Sequence, residues 1–227
     1  MGEELEKSSS QKRLLGKHYR NVWATPVDIK YLDMTAFAGG LSPVELNMEK
    51  HNFTLNLLGK DKVQYQFKAI NKNPTSLLPT GLQTTFAEDF IQDQLSSAHP
   101  FSPLVVPPLA AAAGVYHVNP KLVYVPYSRL LGTYISEIGG QIGYIYKNPS
   151  KDLDLPKGKD KPDRIINTEE LYKELKKDNH NRVDQKSFLK ARLLDLIIGD
   201  WDNGESEWKW AAFKNGGAHV YKPIPLN

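Results

Sequence analysis

The chain has 227 residues, 40% hydrophobic and 24% charged, enough to bury a sizeable core and unlike a disordered or fibrous protein. Its 29 basic and 26 acidic residues leave a net charge of +3 with no basic stripe, which argues against nucleic acid as a partner. Cysteine is absent, excluding disulfides, thiolate zinc sites and cysteine nucleophiles, and no apolar run approaches the roughly 20 residues of a membrane-spanning helix.

Residues 1–13 are polar and Ser-rich and read as a frayed tail without the apolar stretch of a signal peptide. From Leu14 to Asp33, the residues Tyr19, Val22, Trp23, Val27, Ile29 and Tyr31 predict an extended segment interrupted at Pro26. Leu41–Leu46 and Phe53–Leu58 predict a hairpin around a loop over Asn47–Asn52. Gly59-Lys60-Asp61-Lys62 then turns the chain into a third antiparallel strand, Val63–Ile70. Its apolar face is Val63, Tyr65, Phe67 and Ala69, and Lys72 follows just past its end.

Thr85–Ala98 predicts a helix with a Thr85/Glu88 capping box, Phe86, Phe90, Ile91, Leu95 and Ala98 on the buried side, and Glu88, Asp89 and Asp93 on the wet faces. Pro103, Pro107 and Pro108 are expected to break the chain before a short helix over Leu109–Val115. Lys121–Pro126 and Gln141–Tyr146 read as two further strands. Ser150–Asp163 is charged, Pro- and Gly-containing and nearly devoid of apolar residues, so it reads as a linker between a first lobe over 14–149 and a second over 164–227.

In the second lobe, Asn167 caps a helix running to Lys177, with Glu170 as box partner and Ile166/Leu171 as staple. Asp184 caps the next helix, with Val183 and Phe188 as staple. Leu189, Leu193, Leu196 and Ile197 recur at helical spacing, and Leu194 and Ile198 widen the apolar face until only Lys186, Lys190 and Asp195 keep a polar edge, as expected of a core helix. Gly199 ends that helix, and Asp200-Trp201-Asp202-Asn203-Gly204 forms an acidic turn. Glu207–Phe213 and Ala218–Pro223 predict a hairpin through Asn215-Gly216-Gly217. The class is α+β. The six histidines show no metal-ligand spacing, and Ser42, Ser96 and Ser97 lack a nucleophile-elbow frame.

The order of elements and the stretch LLDLIIGDWDNGESEWKW resemble the G-D-x-D-R-H-x-x-Q/N loop of atypical kinase-like proteins, a group with phosphoinositide kinases, HipA toxin kinases and CotH kinases. The phrases LGKHYRNVWATPV, QDQLSSAHPF, VVPPLAAAAGVYHVNPKLVYVP and VDQKSFLKARLLDLIIGDWD resemble a kinase-like domain of Bacteroidota envelope proteins, often beside a metallophosphoesterase or a surface-antigen barrel. The resemblance spans nearly all of residues 14–225.

It implies a two-lobe kinase-like fold with an antiparallel first-lobe sheet and a short, mainly helical second lobe. It also implies an envelope location and ATP with Mg or Mn as cofactor. Lys72, or Lys68, would pair with Glu88, Asp89 or Asp93. Asp202 would be the base, with Asp200 at the loop entrance.

The departures from that pattern are equally specific. Asn47-Met48-Glu49-Lys50-His51-Asn52 replaces a glycine-rich phosphate turn, Asn203-Gly204 replaces Arg-His, and Glu207 stands in for a Gln or Asn metal ligand. Pro223-Ile224-Pro225 is followed by Leu226-Asn227 where relatives carry a metal aspartate, so the chain reads as a piece of something longer.

These points lead to an expected catalytically degenerate kinase-like module that binds or scaffolds. The alternatives are an active phosphotransferase with Asp202 as base, and a structural domain bracing a neighbouring phosphoesterase or barrel. The competing local reading makes Asp200 and Asp202 turn acids and Lys68 and Lys72 solvated lysines.

Overall fold

A computed structural model describes residue 13 and residues 16–49, 52–72, 98–149, 161–200 and 203–226. The chain divides into two compact units, Met1–Ser102 with Pro120–Tyr146, and Pro103–Asn119 with Lys147–Asn227. Residues 103–119, placed by the sequence pattern in a first lobe, thus cluster with the second unit. The expected helix at 85–98 lies outside the described residues except for Ala98, as do residues 150–160 of the expected linker.

The first unit opens on a helical turn, α1 (Arg20–Ala24), and a short strand, β1 (Lys30–Tyr31), where an extended segment was expected. The helical turn stops where Thr25 takes an extended conformation, as a residue preceding proline must. Trp23 is anchored through its indole Nε1, which donates to the Ala98 carbonyl at 3.0 Å.

Strands β2 (Leu41–Glu49), β3 (Asn52–Gly59) and β4 (Gln64–Lys72) form the expected antiparallel run, each longer than the sequence pattern indicated. The loop expected over Asn47–Asn52 is mostly strand. The pairs Leu46–Leu55 and Met48–Phe53 carry the ladder toward the turn, where apolar cross-strand pairs stabilise it. With β5 (Lys121–Tyr124) and β6 (Ile142–Lys147) the sheet order is β1-β5-β6-β4-β3-β2. β1 runs parallel to β5, so the sheet is mixed rather than wholly antiparallel.

Phe67 and Ala69 on β4 are buried as the alternation predicts. They pack with Leu55, Leu57, Ile145 and Val123, closed over by Leu131 and by Ile138 of α3 (Ile135–Ile138), which follows α2 (Ser102–Ala113) in the chain. The opposite face is polar at its centre: Gln66 donates to Asn56 at 3.1 Å and accepts from the Tyr146 hydroxyl.

Helix α2 contains Pro107 and Pro108, which the sequence pattern treated as breakers. Adjacent prolines concentrate their missing donors and ring clashes in one turn. The helix nevertheless continues through them into the alanines, with Ala110 buried.

The second unit is not mainly helical. It carries a four-stranded sheet, order β7-β9-β10-β8, built from β7 (Arg164–Asn167), β8 (Arg182–Val183), β9 (Trp208–Asn215) and β10 (Ala218–Pro225). Alternation on β9 sends Trp208, Trp210 and Ala212 to one core and Ala211 to another beneath Tyr116 and Ile224. Asp163, the last residue of the expected linker, is tied to this sheet: it donates its backbone N–H to the Ala212 carbonyl and its carboxylate lies 3.4 Å from His219.

Helix α4 (Thr168–Lys177) starts at the predicted capping box: Asn167 accepts from the Glu170 N–H, and Glu170 accepts from the Asn167 N–H. Helix α5 (Gln185–Ile198) begins at Asp184, whose carboxylate accepts from the Ser187 N–H at 3.0 Å. That bond, with further help from the Ser187 side chain, holds the Asp184 carboxyl below its ordinary 3.8.

Asp184→Ala is therefore expected to lower stability by about 1 kcal/mol, seen as a lower urea midpoint at unchanged slope. A folded pKa below the unfolded one means that this stabilisation is present above pH 3.8 and is lost as pH falls through the folded value. Asp184→Asn should keep most of the cap while removing that acid sensitivity.

Candidate functional site

The acidic connection between α5 and β9 is set by the end of α5. Gly199 takes the left-handed conformation, φ 76°, that glycine adopts without strain. The Asp200 N–H returns to the Asp195 carbonyl at 2.9 Å, the six-to-one bond of a Schellman motif. The helix thus ends where expected, with Asp200 half-buried at the exit.

The core-facing side of α5 holds Leu194 and Ile198 of the expected apolar face but not its other members. Ala191, Leu194 and Asp195 are buried, while Leu189, Leu193, Leu196 and Ile197 face outward. Apolar residues surround most of this helix, so periodicity alone does not select a face. The small Ala191 side chain and the polar anchoring of Asp195 accompany the face chosen.

Asp195, expected on a polar edge, is 3% exposed. Its Oδ2 accepts from Arg192 Nη1 at 2.9 Å and from Asn203 Nδ2 at 3.2 Å, and Arg192 lies over the Trp208 ring. Burial pushes the Asp195 carboxyl up, the nearby Asp200 charge adds to this, and the two hydrogen-bonding partners oppose it. Asn203 Oδ1 is buried without a hydrogen-bond partner among the described residues.

The far side of the turn is tied to α4. Trp210 Nε1 donates to Thr168 Oγ1 at 3.0 Å, and Thr168 donates to the Glu205 carbonyl at 2.8 Å. The Tyr172 hydroxyl donates to the Glu205 carboxylate at 3.1 Å. Glu207, the expected metal ligand, is buried; its N–H donates to Gly204 and its carbonyl accepts from Leu226. Among the described residues no group of three or more His, Asp or Glu side chains is placed to hold a metal ion. Asp202 lies outside the described residues, as do Glu88 and Asp89.

Compared with known proteins, the chain matches no family model, no curated protein and no solved structure. No described helix is long and apolar enough to cross a membrane.

Of the expected nucleotide lysines, Lys68 sits half-buried in β4 opposite Thr54, and Lys72 is the last residue of that strand, opposite Asn52, rather than beyond its end. The turn before them gives the clearest test of nucleotide fit. Glu49 pairs with Asn52, leaving only Lys50 and His51 between the strands. The sequence there contains no glycine to let the backbone approach a phosphate chain closely, and Glu49 is an acid. These residues do not fit a phosphate cradle.

Arg192 and Thr168 were not singled out in the sequence, and Asp195 was expected on a polar edge. The Arg192/Asp195 spacing of one helical turn is the signal that could have found that pair. Nothing local marks Thr168, since its partners lie 37 and 42 residues away.

Proposed function

We propose that the chain is a kinase-like module that has lost phosphoryl transfer and serves as a binding or scaffolding domain of a bacterial envelope-associated protein. The kinase-like part is supported by the sequence resemblance and by the element order, in which an antiparallel strand run bearing Lys68 and Lys72 precedes an apolar helix, an acidic turn and a hairpin. The envelope assignment rests on the sequence resemblance.

The observation that carries the loss of chemistry is the Glu49–Asn52 pairing, which leaves no glycine loop for phosphates. Acids flanking the α5–β9 connection point the same way. Asp195 is held by Arg192 and Asn203, and Glu207 is buried where the chain turns into β9.

Thermal unfolding with ATP or ADP, with and without magnesium or manganese, tests this reading. A native-state ligand at 100 times its dissociation constant stabilises by about 2.7 kcal/mol, and no such shift is expected at millimolar nucleotide. A metal-dependent shift that Asp202→Asn or Lys72→Ala removes, accompanied by phosphate transfer, would overturn the reading in favour of an active phosphotransferase.

A further inference from the structure

Strand β2 closes one side of the first sheet, and among the described residues no strand lies beyond it. Which of its backbone groups face outward follows from two hydrogen bonds beside β3. The Gly59 N–H donates to the carbonyl of Val63, just before β4, and the Lys60 N–H donates to that of Gly40, just before β2, at 2.9 Å each. Alternation along β3 therefore turns Leu58, Asn56 and Thr54 toward β2. Their register partners Ser42, Glu45 and Asn47 bond inward, which leaves Leu41, Pro43, Leu46 and Met48 with their backbone groups outward.

The first half of this edge is already closed. The Leu41 N–H donates to the Met34 carbonyl at 2.7 Å, Pro43 has no N–H, and Val44 sits in a bulge with its carbonyl accepting from the Tyr134 hydroxyl. The second half is open. Leu46 and Met48 carry outward N–H and C=O groups that no described residue takes up, and such an edge is a template for another strand.

The two faces beside that half differ in chemistry. Leu46 packs against the first core near Tyr134, and Met48 follows on the same face, 57% exposed. On the other face the Glu45 carboxylate is exposed yet held: its Oε2 accepts from Asn47 Nδ2 at 3.3 Å and from Asn56 Nδ2 at 3.5 Å, and Asn56 accepts from Gln66 at 3.1 Å. Glu45 Oε1 takes no hydrogen bond from a described residue. A carboxylate with one oxygen fixed by amides and the other open is positioned to receive a basic side chain.

We propose that the Glu45–Met48 half of β2 takes up an extended segment of a partner protein as a further antiparallel strand, with lysine or arginine opposite Glu45 and apolar residues opposite Leu46 and Met48. Backbone bonds to Leu46 and Met48 supply the attachment, and the two faces select the sequence. Each partner residue lies on the face of the residue it opposes, so the segment alternates basic or polar with apolar residues. A second copy of this edge is a poorer occupant. In a two-fold pair it engages both Leu46 and Met48 only in the register that sets Glu45 opposite Glu49, acid against acid. The contact uses no nucleotide-binding group and is independent of the kinase-like reading.

The probe is a short capped peptide alternating lysine and valine, titrated into the isotope-labelled full chain. It should bind saturably by millimolar concentration, with the Leu46 and Met48 N–H groups becoming protected from solvent exchange while that of Asn47, bonded to β3 from the start, is unchanged. The same peptide with glutamate for lysine should bind at least about five-fold more weakly, the factor that corresponds to about 1 kcal/mol. Glu45→Lys should invert that preference.

Met48→Pro removes an outward donor and no bond of the β2–β3 ladder, so it should abolish binding with the circular dichroism spectrum unchanged. The peptide backbone gives the same test without altering the protein. Methylating its valine nitrogens, which face Leu46 and Met48, should abolish binding, and methylating its lysine nitrogens should leave it intact. No binding at millimolar peptide, equal affinity for the lysine and glutamate peptides, or equal effects of the two methylations would overturn the proposal. A doubled mass of the free chain that Met48→Pro returns to 25.6 kDa would overturn it in favour of a second copy.

Discussion

Trp210→Ala is expected to destabilise the second unit by about 4 kcal/mol. The indole is 6% exposed, stacks on Trp208 at 6.1 Å and lies 5.8 Å from the Phe188 ring. Its removal opens a cavity between α5 and β9 and withdraws the donor on Thr168, whose own hydrogen bond fastens Glu205. The acidic connection is thereby loosened from a distance.

Trp210→Phe separates the two contributions. It keeps most of the ring volume but loses the N–H, and about 1 kcal/mol of the loss should remain. Urea unfolding followed by circular dichroism measures both variants without relying on the deleted fluorophore. A cost for the alanine variant below about 1.5 kcal/mol would mean that the aromatic cluster collapses into the space, and that Trp210 does not organise the turn.

Gly143→Ala is expected to cost about 3 kcal/mol, although the residue has an ordinary backbone conformation. A Cβ built there would stand 2.4 Å from the Lys68 carbonyl oxygen and 2.5 Å from the Phe67 ring. Neither neighbour can yield easily. The oxygen belongs to the neighbouring strand of the sheet, and Phe67 is fully buried among Leu55, Leu57 and Ile145.

Alanine ordinarily stabilises by about 0.4 to 1 kcal/mol through the unfolded chain where it fits, so the clash outweighs that gain severalfold. Gly217→Ala is the control, because nothing lies within 4 Å of its Cβ. It should be neutral or slightly stabilising in the same unfolding measurement. Equal effects at the two glycines would mean that β4 and β6 separate freely at this point.

The capping signals were legible because they act over three or four residues. Asn167 with Glu170, Asp184 with Ser187, and Gly199 with its return bond to Asp195 are each specified by neighbours in the chain. The apolar alternation of β4 was legible for a similar reason, since one face of that strand is uniformly apolar. The hairpin through Gly216 and Gly217 followed from turn chemistry alone.

The second sheet was under-read because two of its strands are short or lie next to a helix cap. Arg182–Val183 is two residues long and joins the sheet only through a parallel pairing with Val220 and Tyr221. Arg164–Asn167 directly precedes α4, where the capping signal dominates the pattern. A segment of that length carries too few alternations to be recognised by period.

The sequence by itself determined where α4 and α5 begin and end, where the hairpins turn, and that acids cluster at the exit of α5. It also determined that the β2–β3 turn holds no glycine. Only the tertiary structure decided which side of α5 is buried. With leucines and isoleucines nearly all round that helix, burial energy changes little with rotation, and contacts to Trp208, Trp210 and Asn203 break the tie. The same choice moved Asp195 from an expected surface edge into a buried pair with Arg192. It also turned Leu189, Leu193, Leu196 and Ile197 outward.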